Sequence, residues 1–392
     1  MGNRWIALSV LFTARTSMGF QFQSVASVSS VLIQDLPMDY TQFGLLIGLY
    51  QLPGLFLAIP GGLLGRRFGD RRMVAAGLAL MGLGGLVVGA SPGYHPALAG
   101  RLMSGVGAVL LNVLLAKMIA DWFSGREMVT AMAVLVSSWP LGLSLGLVSQ
   151  GALAEALSWR TVMHLTAGVS LVSLALVMAV YRDPPRAGED PGAAPPADGL
   201  SRQEAGLVIL AGLIWMLFNL GFITLPSFAP AFLVWAGYTL ADAGAMVSAL
   251  TWISIVAVQL GGVGAERLKR PNLTMVACFL ACGLGICVLP FVSQPAWLLI
   301  LLGLLFGPPA GVIMALPAEV LRPRNRAAGM GVYWTTSYAG SAGLTPLAGL
   351  ARDLTGHAAA PLWFGGVVLF AAIGALGLFR GLQRRSATGS AG

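Results

Sequence analysis

The chain has 392 residues, of which 57% are hydrophobic and only 10% charged. Soluble domains carry about 25% charged residues, so this composition excludes a soluble globular protein and points to a polytopic membrane protein. The net charge of +8 would suit a polyanion-binding surface, yet the basic residues alternate between loops and form no single basic face, which excludes nucleic acid as a partner.

Hydrophobic windows of membrane-spanning length recur twelve times, near 5–33, 41–64, 73–91, 97–120, 129–153, 160–181, 206–236, 242–264, 272–292, 296–318, 328–351 and 359–380. The first follows Arg4 and superficially resembles a secretory leader. It is too long for one and offers no convincing small-residue cleavage site, so it is read as span 1. The 52 Gly and 22 Pro suit close helix approach and tolerated breaks in a bilayer. Residues 183–204, rich in Pro, Gly and Ala, read as a cytoplasmic linker between an N-terminal bundle (1–182) and a C-terminal bundle (205–392). With the N-terminus inside, 19 of the 23 Lys and Arg fall on the inner side and only Arg160 and Arg352 on the outer. That asymmetry predicts cytoplasmic termini.

Arg15 lies about ten residues into span 1, roughly 15 Å deep at about 1.5 Å per residue. A guanidinium there costs about 2.5–3.5 kcal/mol on insertion scales, so it normally faces a partner or an aqueous cavity. No acid of the chain lies at comparable depth. A fixed midplane cation without a counter-charge predicts a path for an anion, which the planar fork can grip at two points. Phe22 lies on the same helical face and Gln23 about 80° from it. Cys278, Cys282 and Cys287 share span 9 with no metal-ligand partners nearby and read as packing residues.

The two halves repeat. Gly62-Leu-Leu-Gly-Arg-Arg-Phe68 follows span 2, and Gly262-Val-Gly-Ala-Glu-Arg-Leu268 follows span 8, 200 residues later. Gly19-Phe20 in span 1 matches Gly221-Phe222 in span 7. Repeated six-helix halves predict a transporter that rocks about a midplane site.

Gly62 to Arg72, including Arg66 and Gly69, resembles the loop motif between helices 2 and 3 of the major facilitator superfamily. Arg101-x-x-x-Gly105-x-Gly107 resembles its helix 4 motif, and Pro317-Ala318-Glu319 with Arg326 resembles the acidic-basic signature after helix 10. The resemblance implies an all-α membrane fold of twelve helices in two pseudo-symmetric six-helix bundles. It departs at Arg66, where the family has an acid that latches the cytoplasmic side. Glu266, beside Arg267 in the second copy, keeps the acid and by the same resemblance carries the equivalent latch. Arg101 is implied in packing or coupling. Leu64 to Gly69 and Trp139-Pro140-Leu141-Gly142 are similar to the cyanate and nitroimidazole transporter branch. On helices that line the cavity in the superfamily, the mid-span candidates are Tyr50, Gln51, Trp139, Asn219, Trp252, Tyr333, Trp334 and Ser337.

These readings predict a multi-pass transporter of a bacterial inner membrane, embedded in lipid and acting as a monomer. It would move a small organic or inorganic anion inward by alternating access, with a proton or counter-anion as the coupling ion. No cofactor, metal or enzymatic activity is expected: no phosphate loop, nucleophile pair or midplane acid pair is visible. The competing reading is a proton-coupled drug or metabolite exporter. Against it stand the degenerate antiporter motif at Trp139-Pro140 and the absence of a buried acid that would attract cations.

Overall fold

The structure, a computed structural model, describes residues 2–123, 125–184, 200–268, 270–322 and 325–389. The side chains of Arg66, Glu266, Arg267 and Arg326, four predicted gating residues, lie outside the described residues. The described chain is helical, without strands: α1 Gly2–Ser27, α2 Ser29–Asp35, α3 Tyr40–Gly48, α4 Gly54–Phe68, α5 Asp70–Gly89, α6 Tyr94–Trp122, α7 Gly125–Ala156, α8 Trp159–Ala179, α9 Arg202–Trp235, α10 Leu240–Leu268, α11 Pro271–Val288, α12 Pro295–Val320, α13 Arg326–Thr355 and α14 Ala360–Gly389. Taken with α1–α2 and α3–α4 as broken pairs, these are twelve spans, six per bundle. Nine are long and apolar enough among the described residues to cross a membrane on composition alone. The three that fall short are spans 1, 2 and 11, each diluted by polar or broken stretches.

Span 2 is not the continuous helix that its hydrophobicity predicts. Pro53 has no N–H for the carbonyl four residues back, and residues 49–53 turn tightly instead. Gln51 N–H donates to Gly48 and Gly54 N–H to Gln51, both at 2.9 Å. The break puts Tyr50 and Gln51 at its apex. Helix starts follow local capping chemistry. Asp39 accepts from Gln42 N–H at 2.7 Å while the Gln42 amide accepts from Asp39 N–H at 3.1 Å. Ser201 and Glu204 make the same reciprocal pair at α9.

Within the N-terminal bundle, α5 and α6 pack almost backbone to backbone. A Cβ added at Gly107 would lie 2.2 Å from the Gly77 carbonyl oxygen, and one at Gly105 would lie 2.6 Å from that of Tyr50. Both glycines of the helix 4 motif are therefore steric requirements.

The bundles meet tightly in their outer halves. A Cβ on Gly349 would fall 1.8 Å from the Tyr40 carbonyl oxygen. Asp353, at the outer end of α13, accepts from Tyr40 N–H at 3.0 Å, Thr41 N–H at 2.7 Å and the Thr41 hydroxyl at 2.6 Å. It thereby caps the first turn of α3. Arg352 lies over the Tyr40 ring at 3.6 Å. Glu155, at the outer end of α7, accepts from Leu240 N–H at 2.7 Å and caps α10. Phe43 and Phe228 meet edge to face at 5.7 Å. Toward the inner ends a cavity separates the halves, so the conformation is inward-facing.

Candidate functional site

The cavity has two adjoining lobes. The outer, of about 180 Å³, is lined by Tyr50, Gln51, Ser337 and Ser341 among others. The inner, of about 740 Å³, runs between the cytoplasmic halves of the helices past Met132, Val258, Phe306 and Met314. Arg15, Asn112, Trp139, Trp215, Asn219, Trp334 and Tyr338 line both and mark the level where the lobes join. Among the described lining residues Arg15 is the only charged side chain.

Arg15 reaches the wall from α1, half-buried. Its Nη1 donates to the Leu135 carbonyl at 3.0 Å and its Nη2 to Asn112 Oδ1 at 3.1 Å. The buried Nε has no partner among the described residues. Leu135 is on α7, one turn before Trp139, and Asn112 is mid-α6. The guanidinium is thus aimed across the N-terminal bundle and only partly satisfied by it. Facing it, Trp215, Tyr333 and Trp334 pack into one aromatic cluster, with Trp334 near Tyr338 at 6.4 Å. Trp139 stands on the opposite wall, packed on Phe22 at 5.2 Å. Asn219, which lines both lobes, donates to the Trp215 carbonyl at 3.2 Å.

Of the sequence candidates, the structure brings Arg15, Tyr50, Gln51, Trp139, Asn219, Trp334 and Ser337 to the wall. Four are not there. Phe22 is buried against Tyr50 at 5.5 Å. Gln23 is fully buried and donates across the bundle interface to the Pro226 carbonyl at 2.8 Å. Both lie outward of Arg15, where the halves have closed. Trp252 turns outward, 41% exposed, because the wall of α10 is formed by Ser254, Ile255, Val258 and Gln259. Tyr333 is buried behind Trp215 and Trp334 with its hydroxyl unpartnered. Sequence reasoning missed Asn112, Trp215 and Tyr338. Asn112 had a signal, as the one polar residue in Val109–Leu115. Trp215 and Tyr338 lie one helical turn from Asn219 and Trp334.

Arg101 is packed inside the N-terminal bundle. It is 2% exposed and donates to the carbonyls of Leu46 at 3.1 Å, Gln21 at 3.0 Å and Phe22 at 2.6 Å. Its guanidinium also lies over the Tyr50 ring at 4.5 Å. It ties spans 1, 2 and 4 together and does not line the cavity. At the inner face Glu319 pairs with Arg380, which also holds Asn272 at 2.8 Å. Asp70 pairs with Lys117. Gly69 ends α4 with φ +89°, a conformation that favours glycine. Gly62 meets no neighbour that a Cβ would strike. No group of three or more His, Cys, Asp or Glu gathers among the described residues, and the three cysteines are unpaired.

The sequence profile of the Major Facilitator Superfamily matches residues 11–346. The chain is similar to a 3-(3-hydroxy-phenyl)propionate transporter of Escherichia coli (strain K12), 23% identical over 69% of this chain and 67% of that protein. It is also similar to the puromycin resistance protein pur8 of Streptomyces alboniger, 29% identical over 46% of this chain and 36% of that one. Against solved structures it superposes on a bacterial homolog of the human lysosomal transporter Spinster in an inward-facing conformation. The TM-score is 0.77 at 14% identity, covering 97% and 96% of the two chains. A D-xylose-proton symporter gives 0.76 at 15% identity, covering 95% and 97%. These structural likenesses carry the fold alone. The comparisons establish the superfamily and not the narrower cyanate and nitroimidazole branch.

Proposed function

The chain belongs to the Major Facilitator Superfamily, and we propose that this secondary transporter imports a small organic anion through a bacterial inner membrane by rocking one bundle against the other. The observation that carries the reading is the lone charge on the wall: Arg15, without an acid among the described lining residues. A partly desolvated guanidinium is stabilised by a cargo that brings the missing negative charge, and it repels cationic cargo. The roughly 740 Å³ of mostly apolar space inward of it favours an organic over an inorganic anion. Trp139 on one side and the Trp215–Trp334 cluster on the other offer flat faces to a ring. The relative named for a phenylpropionate supports a carboxylate cargo.

The test is a calorimetric or thermal-shift titration of purified protein with acetate, phenylacetate, nitrate and benzyl alcohol, repeated in Arg15→Gln. The expected result is binding of phenylacetate that weakens at least about 30-fold in the variant, from loss of a charge-assisted pair. Equal binding of benzyl alcohol, or binding unchanged in Arg15→Gln, would reject the anion. The size and apolarity of the inner lobe favour one second reading, an exporter of larger lipophilic compounds, which the pur8 relative also suggests. Proton-driven extrusion of such a compound from inverted vesicles, indifferent to Arg15→Gln, would select it.

A further inference from the structure

The environment of Arg15 contains an acceptor that fits only half of what it offers. A guanidinium presents N–H groups from Nε and Nη2 along one edge, spaced for the two oxygens of a carboxylate. Here Nη2 donates to Asn112 Oδ1 at 3.1 Å, while the buried Nε has no partner. An amide has one acceptor oxygen, so it takes one N–H and leaves the neighbour unmet. The other end of the same amide is also engaged: Asn112 Nδ2 donates to Tyr338 Oη at 2.9 Å. Asn112 belongs to the N-terminal bundle and Tyr338 to the C-terminal one. The remaining hydrogen bonds between bundles among the described residues all lie farther out. They are Ser144 to Thr251, Gln23 to Pro226 and the caps made by Glu155 and Asp353. Asn112–Tyr338 is therefore the innermost hydrogen bond between the halves among the described residues, and it hangs from the group proposed to receive the cargo.

We infer that Asn112 is a built-in stand-in for the cargo's carboxylate, displaced from Arg15 when cargo binds, and that its displacement undoes the Tyr338 tie. The inference rests on the anion reading above. A carboxylate makes charge-assisted hydrogen bonds about twice as strong as a neutral amide can, and it fills both N–H positions of the edge. It therefore wins the exchange. The freed Asn112 loses the acceptor contact that holds its plane, and the hydrogen bond to Tyr338 goes with it. Cargo thus binds better to a state in which the halves are no longer hydrogen-bonded at cavity level. That differential affinity is what a ligand needs in order to move a conformational equilibrium.

The experiment titrates phenylacetate into full-length protein by calorimetry, in wild type, Arg15→Gln, Asn112→Ala, Asn112→Asp and Tyr338→Phe. Removing the competing acceptor, or its anchor, is expected to tighten phenylacetate binding by about three- to tenfold in Asn112→Ala and Tyr338→Phe, the worth of one hydrogen bond. Asn112→Asp supplies a permanent carboxylate to Arg15 and is expected to weaken phenylacetate binding more than about tenfold. A merely structural asparagine would not separate the alanine and aspartate variants in opposite directions. Weaker binding in Asn112→Ala, with binding still lost in Arg15→Gln, would make Asn112 a direct cargo ligand; the inference would be overturned and the anion reading would stand. Binding unchanged in Arg15→Gln would overturn both. So would silence of all five proteins toward phenylacetate, acetate and nitrate.

Discussion

Removing the carboxylate of Asp353 should release the outer closure without touching the cavity. That side chain accepts three hydrogen bonds from the first turn of α3, two from backbone N–H groups and one from the Thr41 hydroxyl. Each is charge-assisted, but Asp353 is exposed and water competes for every partner. A net value of about 0.7 kcal/mol apiece, at the low end for hydrogen bonds, gives about 2 kcal/mol for the set. Nothing comparable is lost in the outward-open state of the proposed rocking cycle, in which α3 and α13 would separate and water would take these positions. Asp353→Ala should therefore raise the outward-to-inward population ratio by about 30-fold. The readout is electron–electron distance spectroscopy between spin labels on the outer ends of α3 and α13, in nanodiscs without added cargo. A distance distribution superposable on that of wild type would refute the assignment of Asp353 as a closing contact.

Three further outcomes follow from the same geometry. Arg101→Met should destabilise the folded protein by about 3–5 kcal/mol, because three carbonyls and the ring faces of Tyr50 (4.5 Å) and Phe22 (5.7 Å) lose a buried cation together; thermal unfolding followed by circular dichroism measures it. At the outer rim, the Trp159 indole and then Arg160 hold the Asp35 carboxyl below its ordinary range. A depressed carboxyl contributes stability that is full above its unfolded value, near 4, and is lost as pH falls through the folded value. The link between α2 and α8 should thus stay constant from pH 8 to 5 and loosen only below about 4, seen as a change in Trp159 fluorescence against a Trp159→Phe control. Trp252→Ala should leave phenylacetate binding within about twofold of wild type, since its ring faces away from the cavity; a larger loss by calorimetry would return it to the wall.

The family and its architecture were legible because they rest on period, length and charge asymmetry, which a chain displays locally. Twelve apolar windows, the 19-to-2 split of basic residues and the repeated glycine-arginine turns needed no tertiary information. The cavity wall was legible in azimuth and not in depth. Arg15 announced itself because a guanidinium within an apolar run is costly wherever it points. Phe22 and Gln23 share its helix and lie near its face, but they sit about two turns outward, and only the inter-bundle contacts reveal at what level the halves close. Tyr333 and Trp334 are adjacent in sequence and about 100° apart on α13, so one backs the wall that the other forms. Asn112 was visible as a polar break in an aliphatic run. Its significance lies in two partners, 97 and 226 residues away, which no periodicity encodes.

The caps at the outer rim come as a matched set. Asp353 ends span 11 and caps span 2; Glu155 ends span 5 and caps span 8. Exchanging the first six spans for the last six turns one arrangement into the other. The seal is consequently fastened at two points on either side of a central axis, and a rigid swing about that axis must undo both in the same stroke. In the rocking cycle proposed above, an intermediate with one corner lifted and the other shut would have to break one cap while keeping its counterpart, which the paired geometry disfavours.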